Sequence, residues 1–154
     1  MTDRDNPGVI APPPLIYLGF VAAGYIVDSF WAVRYSGIIG QSFLGMALVS
    51  AGFLLSGWSV LEFVRHGTHP DPRRPTTRIV TAGPFRFSRN PIYLAFALMH
   101  AGIAIWSTRM WILVGLLPAV YLIHLGVVRR EERYLERKFG DEYVRYRRSV
   151  RRWL

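Results

Sequence analysis

Two short polar stretches lie at the ends of long apolar runs, and both carry side chains that could bind a charged small molecule. The first is GPFRFSRNPIY, residues 83–93, where Arg89 and Asn90 directly precede the apolar run PIYLAFALMHAGIAIW. The second is the pair Glu131-Glu132, which directly follows another apolar run. A carboxylate beside a dehydrated cavity attracts cations such as an ammonium or a sulfonium, and an arginine attracts anions.

The backbone of residues 83–93 is predicted to form a shaped loop at the membrane surface. Its Gly-Pro pair ends whatever precedes it, and Pro91 biases Asn90 away from helical torsions. Irregular backbone at membrane depth survives only where protein covers it or where it lines a wet cavity. A simpler alternative is a basic anchor whose two arginines bind lipid phosphates while Pro91 starts a helix.

The Glu131-Glu132 pair has two interpretations as well. Consecutive helical positions point about 100° apart, so one carboxylate can face the helix bundle while the other faces the loop. Alternatively, the pair is solvated and neutralised by Arg129, Arg130 and Arg133.

Two histidines lie inside apolar segments, where an ionisable group is a candidate for function. His124 lies seven residues, or two helical turns, before Glu131, which predicts that both occupy the same helix face. The alternative for His124, and for the more deeply placed His100, is a hydrogen bond to a neighbouring helix.

Residues typical of metal, disulfide and dinucleotide sites are scarce. The chain has no cysteine, which excludes disulfides, a thiolate nucleophile and Cys-based metal sites. His66, His69 and Asp71 could bind zinc only if their loop folded to present them, and a third ligand is hard to nominate, so we predict no metal. No G-x-G-x-x-G motif opens a strand-helix unit, which argues against a Rossmann domain.

The elements that position these side chains are apolar helices. Of the 154 residues, 51% are hydrophobic and 19% are charged, and the mean hydropathy is +0.21, so apolar and charged residues occur in separate blocks. About 20 residues cross a bilayer core. We therefore predict a single all-α membrane domain, residues 1–154, with four transmembrane helices at about 14–33, 37–61, 91–107 and 110–128. The last two are so close that they must form an antiparallel hairpin.

The basic residues predict the orientation of these spans. With four spans, 17 of the 19 Lys and Arg residues fall on the side of the two termini and the 62–90 loop, and only Arg34 and Arg109 on the other. Basic residues concentrate on the cytoplasmic side, so both termini are predicted to be cytoplasmic. The formal net charge of +9 then points to anionic lipid headgroups or an acidic cofactor rather than to nucleic acid.

Both ends of the chain are predicted to stay with the membrane. The N-terminus lacks a basic region and a clean cleavage site, so its apolar run is interpreted as a retained span rather than a signal peptide. After Val128, aromatic residues recur at near-helical spacing. This predicts short amphipathic helices over 129–150, broken at Gly140 and lying at the cytoplasmic interface.

The motif TAGPFRFSRNPIYLA, followed about forty residues later by EERYLERKFGDEYVRY, resembles the isoprenylcysteine carboxyl methyltransferase and phospholipid methyltransferase family of integral-membrane enzymes. The resemblance covers roughly residues 64–150, and the leading GVIAPPPLIY resembles bacterial members. It implies an enzyme of the bacterial inner membrane that uses S-adenosylmethionine. Where the family often has a histidine and a glycine, this chain has Asn90 and Ala95. The residues implied to bind the cofactor are Arg89, Asn90, Pro91, Tyr93, Glu131 and Glu132.

The resemblance also implies roles. Glu131 or Glu132 would bind the ammonium of S-adenosylmethionine, and Arg89 or loop N–H groups its carboxylate. The acceptor would be a lipophilic molecule, an isoprenoid or lipid carboxylate, amine or thiol, methylated at the cytoplasmic face. For an amine or thiol, Glu131 or His124 would be the catalytic base, and Arg129 or Arg130 would orient an anionic headgroup. The alternatives are a related membrane reductase and a non-catalytic scaffold that binds anionic lipid.

Overall fold

The computed structural model describes residues 5–35 and 40–154, and this part of the chain is helical. Within those ranges the only β-type backbone pairing is an isolated bridge between Arg34 and Arg109. The helices are α1 Pro13–Phe30, α2 Gln41–Arg65, α3 Pro91–Ser107, α4 Met110–Ile123, α5 Arg129–Phe139 and α6 Asp141–Ser149. A 3-10 turn, Gly83–Arg86, precedes α3, and a π-helical turn, His124–Val128, joins α4 to α5.

The apolar helices agree in part with the predicted spans. Three helices are long and apolar enough to cross a membrane: α1, α2 and the continuous helix Met110–Phe139. Helix α3 coincides with the predicted segment 91–107 but has only 17 residues. The all-helical fold is therefore confirmed for the described residues, three of its helices could cross a membrane, and the number of four spans stays a prediction.

The boundaries differ from the prediction at two places. Helix α1 ends at Phe30 rather than at residue 33, and residue 128 is not a helix end, because the π-helical turn leads directly into α5. The predicted break at Gly140 is present: its φ of 53° is easy for glycine and separates α5 from α6. Residues 37–39 of the predicted second span, and Arg4, lie outside the described residues.

The bundle consists of two closely packed helix pairs, α2 with α3 and α1 with α4. Glycines permit the close approach. A Cβ atom at Gly45 would lie 2.7 Å from the backbone nitrogen of Trp106 and 2.8 Å from the carbonyl oxygen of Gly102. A Cβ atom at Gly24 would lie 2.8 Å from the backbone of Ile112. Small residues at such contacts are typical of membrane helices, which gain stability from close packing rather than from leaving water.

We expect Gly45→Ala to destabilise the fold by about 1–3 kcal/mol, because its new methyl group meets backbone atoms that cannot rotate away. Gly57→Ala is the matched control on the same helix, since apart from its chain neighbours and the adjoining backbone of its own helix no described heavy atom lies within 4 Å of its Cβ position. That variant should be neutral or slightly stabilised. Thermal unfolding of both purified variants in detergent measures the difference, and equal melting temperatures would contradict the packing argument.

The end of the bundle remote from α5 is closed by an ion cluster. Asp28 is buried and contacts the guanidinium groups of both Arg34 and Arg109. The Tyr35 hydroxyl donates a hydrogen bond to the Ala104 carbonyl at 2.7 Å. Arg34 and Arg109, the two basic residues predicted to lie on the side opposite the termini, thus share one carboxylate.

Candidate active site

A cavity lies at the end of the bundle where α3 begins and the helix through α5 leaves the apolar segment. The space between its lining side chains is about 740 Å³, part of it open to solvent. All six residues predicted to bind the cofactor line it: Arg89, Asn90, Pro91, Tyr93, Glu131 and Glu132.

The starts of α3 and α5 position these six residues. Pro91 occupies the first turn of α3, where its missing N–H costs no helical hydrogen bond, and Tyr93 follows two residues later in the same turn. Glu131 and Glu132 lie in the first turn of α5. Tyr93 and Glu131, which are 38 residues apart in the chain, are thereby brought together at one cavity.

Glu131 contributes a carboxylate that lacks a cationic partner. The Tyr93 hydroxyl donates a hydrogen bond to its Oε2 at 2.8 Å, and no salt bridge to Glu131 forms within the described residues. Its side chain is half-buried and faces the cavity. A carboxylate withdrawn from water without a counter-ion is costly, so this position favours a bound cation.

Glu132, in contrast, is already neutralised. Arg152 holds both of its oxygens, with Nε donating to Oε1 at 2.9 Å and Nη2 to Oε2 at 2.8 Å. Nη1 of Arg89 lies 3.1 Å from Oε1 of the same carboxylate. Of the two glutamates that the sequence proposed for an ammonium, the contacts leave Glu131 as the one without a positive partner.

Arg89 contributes the matching unsatisfied donor. Its side chain is only 8% exposed, and Nη1 contacts Glu132 and donates to the Tyr143 hydroxyl at 3.3 Å. Burial and the nearby Glu132 carboxylate raise the pKa of Tyr143 to about 12, so the phenol stays neutral. The Nε of Arg89 is buried and has no hydrogen-bond partner among the described residues. A buried charged donor without an acceptor is rare, which makes Arg89, a residue of the cavity lining, a candidate for binding an anionic group.

The loop after α2 forms another wall of the cavity. His69, Pro70, Pro72, Thr76, Arg78 and Ile79 line it. The backbone N–H of Thr76 donates to the Tyr134 hydroxyl at 3.2 Å, and that hydroxyl donates to Asp5 Oδ1 at 2.8 Å. The loop and the N-terminal segment are therefore tied to α5. Sequence analysis missed these lining residues, because nothing local predicts which way a proline-rich loop folds.

The aromatic residues of the C-terminal helices face protein at this end of the bundle. Tyr143 and Tyr146 are buried against Val80 and Phe85, and both tyrosines line the cavity. The Tyr146 hydroxyl donates to the Phe85 carbonyl at 2.8 Å. Their near-helical spacing predicted amphipathic helices, and the tertiary structure shows that protein covers the side that carries these two tyrosines.

Asn90 is held by its surroundings. Its Nδ2 donates to the Arg152 carbonyl at 2.9 Å, and its backbone N–H donates to the Ser88 hydroxyl at 3.1 Å. The Asn90 amide therefore shapes the loop in front of α3.

His124 and Arg129, predicted as catalytic, do not line the cavity. His124 packs 6.4 Å from the ring of Trp153, measured between ring centroids, and Arg129 is exposed. The prediction that His124 shares a face with Glu131 assumed a continuous α-helix. The intervening π-helical turn, His124–Val128, has more residues per turn and shifts that register.

The remaining polar candidates also lie elsewhere. His100 is buried and bonds the Ile112 carbonyl of the neighbouring helix through Nε2 at 2.9 Å, the simpler of its two interpretations. His66 contacts the Glu62 carbonyl through Nδ1 at 2.8 Å, whereas His69 lines the cavity, so the two do not share a metal-binding geometry. Ala95 is fully buried and does not line the cavity; its carbonyl faces Gly52 of α2.

Comparison with known proteins gives one family. Residues 40–142 match the family model described as phospholipid methyltransferase. A stretch of 63 residues, 41% of this chain, is 40% identical to the whole of an uncharacterized protein from Haemophilus influenzae. A stretch of 133 residues, 82% of this chain, is 26% identical to the protein-S-isoprenylcysteine O-methyltransferase of Schizosaccharomyces pombe, and this chain spans about half (51%) of that enzyme's length. No solved structure matches.

Proposed function

This chain belongs to the phospholipid methyltransferase family, and from that premise we propose that it methylates a lipophilic acceptor with S-adenosylmethionine at the cytoplasmic face of a bacterial inner membrane. The observation that carries the proposal is the pairing, in one cavity, of an uncompensated carboxylate on Glu131 with an unsatisfied buried donor on Arg89. An amino acid end group, with its ammonium and carboxylate, complements both.

The residues present fit this cofactor. Glu131, held by Tyr93, would bind the ammonium, and Arg89 Nε would bind the carboxylate. Phe63, Ile92 and Leu135 give the cavity an apolar surface for the remainder. When bound, S-adenosylmethionine supplies an electrophilic methyl group on a sulfonium with a neutral leaving group.

The side chains then act mainly by binding and orientation. Holding two reactants in line removes much of the entropic barrier to their encounter. An acceptor carboxylate is ionised at neutral pH and needs no base. An amine or a thiol must lose a proton, and Glu131 could receive it only where another group binds the ammonium of the cofactor.

The location of the cavity supports the cytoplasmic assignment. It lies at the end of the bundle where α3 begins, beside the loop and the tail that hold most of the 19 basic residues. Basic residues favour the cytoplasmic side. A water-soluble cofactor would then enter from the cytoplasm, and the acceptor from the adjoining leaflet.

Incubation of the purified protein with S-adenosylmethionine carrying a labelled methyl group and a bacterial lipid extract tests this proposal. We expect label in the organic phase and a higher melting temperature with S-adenosylhomocysteine, since a ligand at 100 times its Kd stabilises the folded state by about 2.7 kcal/mol. A scaffold would show neither effect. Stabilisation by a nicotinamide cofactor instead would favour the reductase.

A further inference from the structure

The C-terminal segment Val150–Leu154 lies beyond the matched residues 40–142, yet it is fastened to the front of the cavity. Its backbone carbonyls accept hydrogen bonds from the Arg89 N–H at 3.0 Å, the Asn90 amide at 2.9 Å and the Ser88 hydroxyl at 3.3 Å. Trp153 packs against the core cluster near the cavity. The segment therefore has a fixed position relative to the residues that line the site.

Fixing the segment places Arg152 on Glu132. The guanidinium of Arg152 makes a two-bond fork with both carboxylate oxygens, at 2.9 and 2.8 Å. Arg89 reaches the same carboxylate through Nη1 alone, at 3.1 Å. Two arginines thus share one buried carboxylate, and Arg152 has the more complete contact.

We propose that Arg152 is a positioning residue for cofactor binding: by holding both oxygens of Glu132, it prevents this carboxylate from closing on Arg89 and keeps Arg89 Nε available. The proposal rests on the proposed function. It assigns a role to a residue of the tail that neither of the two motifs contains.

The competition between the two arginines has a physical basis. Glu132 is 8% exposed, so it has little access to water and needs a positive partner. Bidentate pairing is the strongest arrangement of a guanidinium with a carboxylate. Without Arg152, the partner in reach is Arg89, and a fork through its Nε and Nη1 would occupy the donor that the cofactor carboxylate requires.

A double-mutant cycle with S-adenosylhomocysteine, measured by calorimetry on the full chain, tests the proposal. Arg152→Gln should weaken binding about tenfold, the loss of one charge-assisted hydrogen bond. In the Glu132→Gln background, which has no competing carboxylate, the same substitution should have little effect. An equal loss in both backgrounds would indicate a merely structural role and overturn the proposal.

Two further variants keep the experiment decisive. The Arg148→Gln variant should bind like the wild type, because Arg148 is an exposed basic residue at the end of α6, just before the C-terminal segment. Arg152→Lys keeps the charge without the fork and should bind with intermediate affinity; wild-type affinity for it would overturn the proposal even if Arg152→Gln did not fold. A wild-type protein that does not bind S-adenosylhomocysteine would overturn the proposed function, whereas wild-type binding that Arg152→Gln leaves unchanged would overturn this inference alone.

Discussion

Glu131→Gln is expected to weaken the binding of S-adenosylhomocysteine about 10- to 100-fold, the range for a lost hydrogen bond between charged groups. The amide keeps the size of the side chain and still accepts the hydrogen bond from Tyr93, which measures 2.8 Å in the native protein. It removes the negative charge that would bind the ammonium. Isothermal titration calorimetry of the purified variant gives the change in Kd.

Stability separates a binding role from a structural one. Glu131 is a half-buried carboxylate with no salt bridge within the described residues, so its neutralisation removes a desolvation cost. The unliganded Glu131→Gln protein should therefore melt at the native temperature or above it, which is the usual trade between function and stability at binding sites.

Glu136→Gln is the matched control on the same helix. Glu136 is exposed and pairs with Arg147 at 2.8 Å on the surface, where an ion pair contributes little. Undiminished affinity in Glu131→Gln, or an equal loss in Glu136→Gln, would remove Glu131 from the site.

Arg89→Gln is expected to have a comparable effect on affinity and a larger effect on stability. The substitution removes the buried Nε donor and also the Arg89 contact with Glu132. Unlike Glu131, Arg89 belongs to a buried ion cluster, and its removal takes one of two positive partners from the Glu132 carboxylate and leaves the fork from Arg152. We expect weaker binding by about 10- to 100-fold together with a lower melting temperature.

Two comparisons isolate the contribution to binding. Arg86→Gln changes an exposed arginine of the same segment that does not line the cavity, and it should leave affinity unchanged. Arg89→Lys retains the charge but has no atom equivalent to Nε, so it should be more stable than Arg89→Gln and still bind weakly. Native affinity in Arg89→Lys would show that the charge alone suffices and that Nε has no ligand.

Local patterns in the sequence were sufficient to predict the apolar helices and the two motifs that contribute to the lining of the cavity. Pro91 marks the start of α3, because a proline is tolerated in the first turn, and Gly140 marks the end of α5. The two motifs were recognisable as the ends of apolar runs, and all six of their predicted residues line one cavity. Their roles toward a cofactor stay predictions.

The assignment of charges within that cavity required the tertiary structure. The sequence treats Glu131 and Glu132 alike, since they are neighbours with the same side chain. They differ because Arg152, 20 residues further along the chain, reaches only Glu132. The register between His124 and Glu131 likewise depends on a π-helical turn that the apolar pattern does not reveal.

The sequence by itself thus determined that the chain is an apolar helical protein with basic connections, and that α3 starts at Pro91, because these follow from local composition and backbone restrictions. Only the tertiary structure decided which carboxylate has no cationic partner among residues 5–35 and 40–154, and which arginine retains an unsatisfied donor there. Ion pairing in a buried site depends on contacts between segments that are distant in the chain. In water, two neighbouring glutamates would be solvated alike, whereas in a site with little water each carboxylate depends on the side chains around it.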